Sequence, residues 1–400
     1  MFTSVNKPLF TFVIMEDEQA LYPGLFKCEL EGRYVHNDHI IPLLDRAKND
    51  VEISEIGTSE NGLPVFSVTI GNGPIKVLGW SQMHGNESTT TKVLFDFLQF
   101  VCHKKAFQQE IHQFLSSYTF VFIPILNPDG ALAYTRVNAN EVDLNRDALD
   151  QSQKESRILR KVYEEFQPDL NLNLHDQRTI YGTSEGKSAT ISFLAPAADP
   201  ERTVTDARKT AMSHIVRMNR RLQSLIPGQV ARYDDTYNEN CVGDYFVTAG
   251  TPSILIEAGH YRVDYQRERT REFIFYALLE LFGITKHESE VLTYKDYFDI
   301  PENQVNFKDV IIRNIRVDGY DELVSVGIQY KEMLKNGKVF FDPIVEEIGK
   351  LDEWYTHNEN DGNKGFALLN YHKKEGIGEK IVTIIDKNTE NTLFNSTDMC

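Results

Sequence analysis

The stretch KVLGWSQMHGNESTTTKVLFDFLQFVC, residues 76–102, decides the fold. Its opening, Lys76-Val-Leu-Gly-Trp80, is apolar and follows a turn-forming Gly71-Asn-Gly73, so it reads as a strand. Its second half carries Val93, Leu94, Phe97, Leu98 and Val101 at the spacing of an amphipathic helix laid on a sheet. Between the two stands His84-Gly-Asn-Glu87. A histidine and a carboxylate three apart share one face of a helical turn and can grip one metal ion. A lone H-x-x-E arises by chance in 400 residues, so the weight falls on the polar groups behind it.

Working outward, Asp38 to Asn49 reads as a helix, Val65 to Ile70 as a strand and Tyr118 to Ile125 as strongly β-prone. Glu155 to Phe166, Glu201 to Leu225 and Arg267 to Phe282 read as helices, the last two stopping at Pro227-Gly228 and Gly283. Strands alternating with helices predict an α/β fold whose sheet is covered on both faces. From about Thr285 the character changes. Asp309 to Val317, Leu323 to Lys331, Lys338 to Glu347, Gly365 to Tyr371 and Lys380 to Ile385 alternate like strands, with Asn336-Gly337 as a hairpin turn. Two domains are expected: 1–285, α/β, and 286–400, all-β, with a sandwich as the candidate architecture. Residues after Asn388 read as a frayed tail.

A catalytic zinc takes three protein ligands and keeps a fourth position open, and two His with one Glu is an established set. Among eleven His, His175 closes Leu170-Asn-Leu-Asn-Leu174, whose alternation reads as a half-buried strand, and then opens into a polar loop. Ligands gather at the carboxyl ends of strands in open α/β sheets. The plain alternative is a strand-end histidine bonded to backbone. His260 lies three residues beyond Glu257 but lacks that strand-then-loop setting, and is not assigned.

Thr251-Pro-Ser-Ile-Leu-Ile-Glu257 places a carboxylate at the end of a run too apolar to be exposed, so it needs a partner or a function. Near a metal-bound water it could serve as general base and then acid. The alternative is a Glu paired with an Arg at the sheet edge. Between the metal segments, Asn127-Pro-Asp-Gly130 reads as a turn at a strand's exit. A dozen residues follow that hold Arg136, Asp143, Asn145 and Arg146. The rigid guanidinium fork suits carboxylates and oxyanions.

The ordered series H-G-N-E, N-P-D-G, R-x-N-A, V-D-L-N-R, L-H-D and I-L-I-E-A-G resembles the M14 (carboxypeptidase A-like) zinc carboxypeptidases, over roughly residues 30 to 285. The resemblance implies a mixed sheet flanked by helices and one zinc ion on His84, Glu87 and His175. It implies that Glu257 activates the metal-bound water and that Arg136 steadies the oxyanion. Asn145 and Arg146 would hold the substrate's terminal carboxylate, and Asp143 would orient the His84 ring from behind. A mobile tyrosine closes over substrate in many members; Tyr237, seven residues before Asp244, matches best, with Tyr233 as the alternative. Two departures stand out. Asp176 follows the third ligand where many relatives carry a small hydroxyl residue, and Gly243 occupies a position that lines the specificity pocket.

The expected function is a zinc-dependent hydrolase cleaving the C-terminal amide bond of a peptide. Alternatives are an amidase or deacylase acting on cell-wall-derived peptides or N-acyl amino acids, and an inactive zinc module that binds peptide tails. The expected partner is a peptide or muropeptide with a free carboxylate. A formal charge of −17 argues against nucleic acid and anionic membrane surfaces, and no stretch approaches membrane-spanning length. Cys28, Cys102, Cys241 and Cys400 are scattered, which predicts reduced thiols in the cytoplasm. The apolar run Pro8 to Met15 is short and lacks a small-residue cleavage site, so no signal peptide is expected.

Overall fold

The computed structural model describes residues 18–103, 105–285, 292–372 and 376–396; the run Pro8 to Met15 and Cys400 lie outside them. Strands β1 (Glu52–Thr58), β2 (Pro64–Ile70), β3 (Ile75–Trp80), β4 (Tyr118–Ile123) and β5 (Leu170–Asp176) come first. They are followed by β6 (Tyr181–Gly182), β7 (Ile191–Leu194), β8 (Val230–Arg232) and β9 (Ser253–Ala258). All of these except β6 form one mixed sheet in the order β1-β2-β4-β3-β5-β9-β7-β8. Its centre, β4-β3-β5-β9, is parallel, while β2 meets β4 and β7 meets β9 antiparallel.

Period-2 alternation sorts the side chains onto two covered faces. Leu78, Trp80, Val121 and Ile123 join Leu159 and Phe246, from helices Lys154–Phe166 and Val242–Thr248. Val77, Phe120, Leu172 and Leu174 join the apolar sides of helices Thr89–Cys102, Asp206–Gln223 and Glu268–Leu281. This double cover corrects the half-buried reading of β5, in which every residue is buried. Its polar alternates Asn171 and Asn173 sit inside, where Asn171 donates to Ser253 Oγ at 3.1 Å.

The rest of the chain adds β10 (Gln304–Val305), β11 (Phe307–Ile315), β12 (Val324–Lys335), β13 (Lys338–Gly349), β14 (Tyr355–Asp361), β15 (Ala367–Tyr371), β16 (Ile381–Asp386) and β17 (Thr392–Asn395). One sheet runs β13-β12-β11-β14, the other β15-β16-β17. Val310, Ile328 and Val345 of the first share an apolar cluster with Ala367, Ile384 and Phe394 of the second. Asn336 and Gly337 turn β12 into β13 with φ of 51° and 73°, as a two-residue hairpin requires. One expectation is corrected: Thr392–Asn395, expected as frayed tail, pairs antiparallel with β16. The polar run Tyr355–Asp361, unmarked as a strand by its sequence, pairs parallel with β11. β10 pairs with β6, which stitches this region to the loop leaving β5. Among the described residues no helix is long and apolar enough to cross a membrane.

Candidate metal centre and catalytic cleft

The carboxyl ends of three neighbouring parallel strands carry the predicted chemistry. β3 leads into His84 and Glu87, β5 ends with His175 and Asp176, and β9 holds Glu257 in register with His175. The H-G-N-E segment is a single tight turn, closed by Glu87 N donating to His84 O at 3.0 Å, and the helix starts at Thr89. N-P-D-G, expected as a turn, is the capped start of the helix Pro128–Ala133: Asn127 Oδ1 accepts from Gly130 N at 2.8 Å. Asn127 Nδ2 also donates to Met83 O, which fixes the residue before His84.

His84 Nδ1 lies 2.9 Å from Glu87 Oε1, His175 Nδ1 lies 2.9 Å from Glu87 Oε2, and the two Nδ1 atoms are 3.1 Å apart. All three residues are buried, and they form a possible cation-binding group among the described residues. Zinc bonds of the usual length set tetrahedral donor atoms about 3.3 Å apart, so small outward shifts of the two rings and the carboxylate would seat an ion. The donor set fits zinc: two imidazoles and one carboxylate converge in a site shielded from water.

The supports are specific. Asp143 Oδ1 meets His84 Nε2 at 3.0 Å and also accepts from Asn145 N at 2.9 Å. Arg136 donates to Asp143 Oδ2 at 3.1 Å and to Glu87 Oε1 at 3.3 Å. Burial opposes ionisation of Glu87, but the two imidazoles outweigh it and hold that carboxyl far below its ordinary range. Burial likewise opposes ionisation of Asp143, yet His84 and Arg136 hold it well down. For His84, burial is outweighed by Glu87 and Asp143 and the pKa rises; for His175, burial wins and the ring favours its neutral, ligating form. Glu257 runs the other way: burial, then Glu87 and Asp176, push its pKa well up. Its Oε2 has no hydrogen-bond partner among the described residues. A divalent cation beside it would pull that pKa down again.

Around this centre is a cleft of about 370 Å³, lined by Asn145, Arg146, Asn173, Tyr233, Gly243, Asp244 and Glu257 besides the ligands. Asn145 Oδ1 accepts from Val242 N at 3.1 Å, and Arg146 is exposed at the rim. Burial raises the Asp244 carboxyl to about 6. Tyr237 is not brought into this lining; its hydroxyl lies 3.5 Å from Thr248 Oγ1. Tyr233 does line the cleft, and burial together with the Glu257 charge pushes its hydroxyl pKa well up. His260 is buried against the rings of His357 and Tyr265, apart from the ligand group.

Two supports escaped sequence reasoning. Asp176 is a bracket: its N–H donates to Glu87 Oε2 at 3.1 Å, while Oδ2 accepts from Thr89 N and Oγ1 at 3.2 and 2.6 Å. Arg267, fully buried with φ of 60°, donates to Ala258 O at 2.6 Å and Gln177 O at 2.8 Å, clamping the ends of β9 and β5 together.

The zinc carboxypeptidase family profile matches residues 38–238, a span that contains all three candidate ligands. The chain belongs to the zinc carboxypeptidase family. Within that family it is 29% identical over 164 residues to carboxypeptidase SOL1 of Arabidopsis thaliana, covering 38% of this chain and 31% of that protein. It is 33% identical over 118 residues to carboxypeptidase E of Caenorhabditis elegans, covering 24% and 25%. The chain thus spans less than a third of the length of either relative. Its fold is similar to that of a metallo-carboxypeptidase from Burkholderia cenocepacia, with a TM-score of 0.52 and 16% identity over 62% of this chain and 68% of that one. The mixed sheet with flanking helices is the zinc carboxypeptidase fold, here with additional all-β sheets.

Proposed function

We propose that this chain is a zinc-dependent exopeptidase that removes the C-terminal residue of a peptide. The observation that carries the reading is the register of β5 against β9, which sets Glu257 beside His175 at the edge of a buried two-His, one-Glu group. One zinc ion would be held by His84, Glu87 and His175. When bound, it supplies a Lewis acid that acidifies water and polarises an amide carbonyl.

The protein's own groups then divide the work. Glu257 takes a proton at its unpartnered Oε2 and returns it to the leaving amine. Arg136, half exposed above Glu87, places its guanidinium where negative charge develops on the carbonyl oxygen. Asp143 holds the His84 tautomer by accepting from Nε2. Asn145 and the exposed Arg146, across the cleft, are suited to a terminal carboxylate. Tyr233 is the residue we assign to cover the substrate.

We further propose that the chain divides near residue 285 into a catalytic domain and a C-terminal β domain, which the separate apolar cluster of the latter supports. The scattered cysteines support a reducing, cytoplasmic setting, and the net charge of −17 supports peptides rather than nucleic acid or membrane as partners.

The test is a library of C-terminally varied peptides, together with a muropeptide tripeptide and N-acyl amino acids, incubated with and without chelator. Chelator-sensitive release of single C-terminal residues is expected. Cleavage confined to the muropeptide or the N-acyl amino acids would replace the exopeptidase reading with an amidase. A protein that binds zinc but cleaves nothing would be an inactive peptide-binding module.

A further inference from the structure

A second cavity, about 540 Å³, opens beside the metal centre between the α/β part and the C-terminal β region. It is continuous with the catalytic cleft, because Glu87, Arg136, Asp176, Gln177 and Arg178 line both. Its far wall is β12 and β13, including Gln329, Lys331 and Glu332. If the terminal carboxylate lies on Asn145 and Arg146 and the scissile bond on the metal, this cavity receives the part of the peptide upstream of the cut.

The wall is held rigidly. Arg33, 4% exposed, pairs with Glu332 of β12 at 3.0 Å and with Asp176 at 3.6 Å. Glu332 also accepts from the Tyr134 hydroxyl. Asp309 of β11 accepts from Thr179 Oγ1 and from the Tyr265 hydroxyl, and His357 of β14 meets Thr179 O. The β region therefore anchors the loop that carries Arg178, three residues beyond the ligand His175.

Four carboxylates and four cations line the cavity, so its lining is formally neutral, but the charges are unevenly paired. Glu87 is taken by the metal group and Arg136, Glu332 and Asp176 share Arg33, and Glu346 pairs with Lys308. Arg178 and Lys331 are exposed in the cavity and have no side-chain hydrogen bond or ion pair among the described residues. Two unanswered cations facing one cavity stand out on a chain of net charge −17.

We infer that the C-terminal β region is a substrate-recognition wall, and that Arg178 and Lys331 select peptides with an acidic group upstream of the scissile bond. The inference rests on the exopeptidase reading above. Carboxylate pairing to a guanidinium and an ammonium in a partly screened cavity is worth roughly tenfold in selectivity.

The test uses the full-length zinc-loaded protein and N-blocked tetrapeptides that differ only at the second and third residues from the C-terminus, bearing Glu, Gln or Lys. Wild-type kcat/KM should favour Glu over Lys by about tenfold at low salt and lose much of that preference as salt screens it. The charge reversals Arg178→Glu and Lys331→Glu should each shrink the Glu/Lys ratio and together invert it, while Arg178→Lys keeps its sign. Zinc stoichiometry equal to wild type shows that the variants are folded. A loss of folding would affect all substrates together and leave the ratio untouched. C-terminal cleavage with no charge preference, or a ratio unmoved by the double reversal, overturns the inference alone. Absence of C-terminal cleavage across the series overturns the exopeptidase reading, and this one with it.

Discussion

Gly85 lies flat against Gly130: a Cβ on Gly85 would stand 1.9 Å from the Gly130 carbonyl carbon and 2.1 Å from Ala131 N. The turn bearing two of the candidate metal ligands is thereby seated on the capped start of the helix Pro128–Ala133. The glycine of H-G-N-E thus packs directly on the backbone of N-P-D-G.

Gly85→Ala should therefore separate the turn from that helix. Forcing a methyl into such a contact costs about 1–3 kcal/mol and moves backbone, so His84 leaves alignment with His175. A lowered Tm and substoichiometric zinc are expected, with the far-UV dichroism of the folded sheet and helices retained. Full zinc occupancy in the variant would mean the turn does not depend on this contact.

Asp143→Ala removes the acceptor behind His84 Nε2 and the partner of Arg136. Zinc affinity should fall about 10–100-fold, measured by competition with a coloured chelator. Unchanged affinity would show that the His84 ring is oriented by packing alone.

The strand–turn–helix of residues 76–102 was legible nearly residue for residue, because a buried strand and an amphipathic helix each impose a clear period on apolar residues. The ligand candidates His84, Glu87 and His175 were legible from their chemistry and their setting. What escaped shares one cause: polar residues that act by burial look like surface. Arg267 sits in the charged run Arg262 to Glu272 and reads as solvated, yet its side chain is fully enclosed. Asp176 reads as the polar start of a loop, yet it is buried and ties Glu87 to Thr89. The helix Gln108–Ser117 buries only Ile111 and Phe114, too sparse a stripe to detect, and β14 is polar because it borders its sheet. Tyr237 was chosen on spacing to Asp244, and spacing along a loop does not determine which ring turns inward.

Asp309 gives the seam a pH dependence. Burial raises its carboxyl to about 6, against hydrogen bonds from Tyr330 N and Tyr265, while the unfolded chain ionises near 4. A raised folded pKa means the contribution to stability is fully present below pH 4 and is lost as pH rises through 6. Relative to Asp309→Asn, the wild type should lose on the order of 2–3 kcal/mol across that window. Parallel Tm profiles of the two proteins from pH 4 to 7 would refute this.

Turnover paired with metal analysis for Glu257→Gln tests most sharply whether Glu257 moves the proton while His84, Glu87 and His175 hold the metal. The amide keeps shape and removes the base, so kcat should drop about 10²–10⁴-fold with one zinc per chain retained. Near-normal turnover in that variant, or loss of the zinc along with the activity, would contradict the assignment.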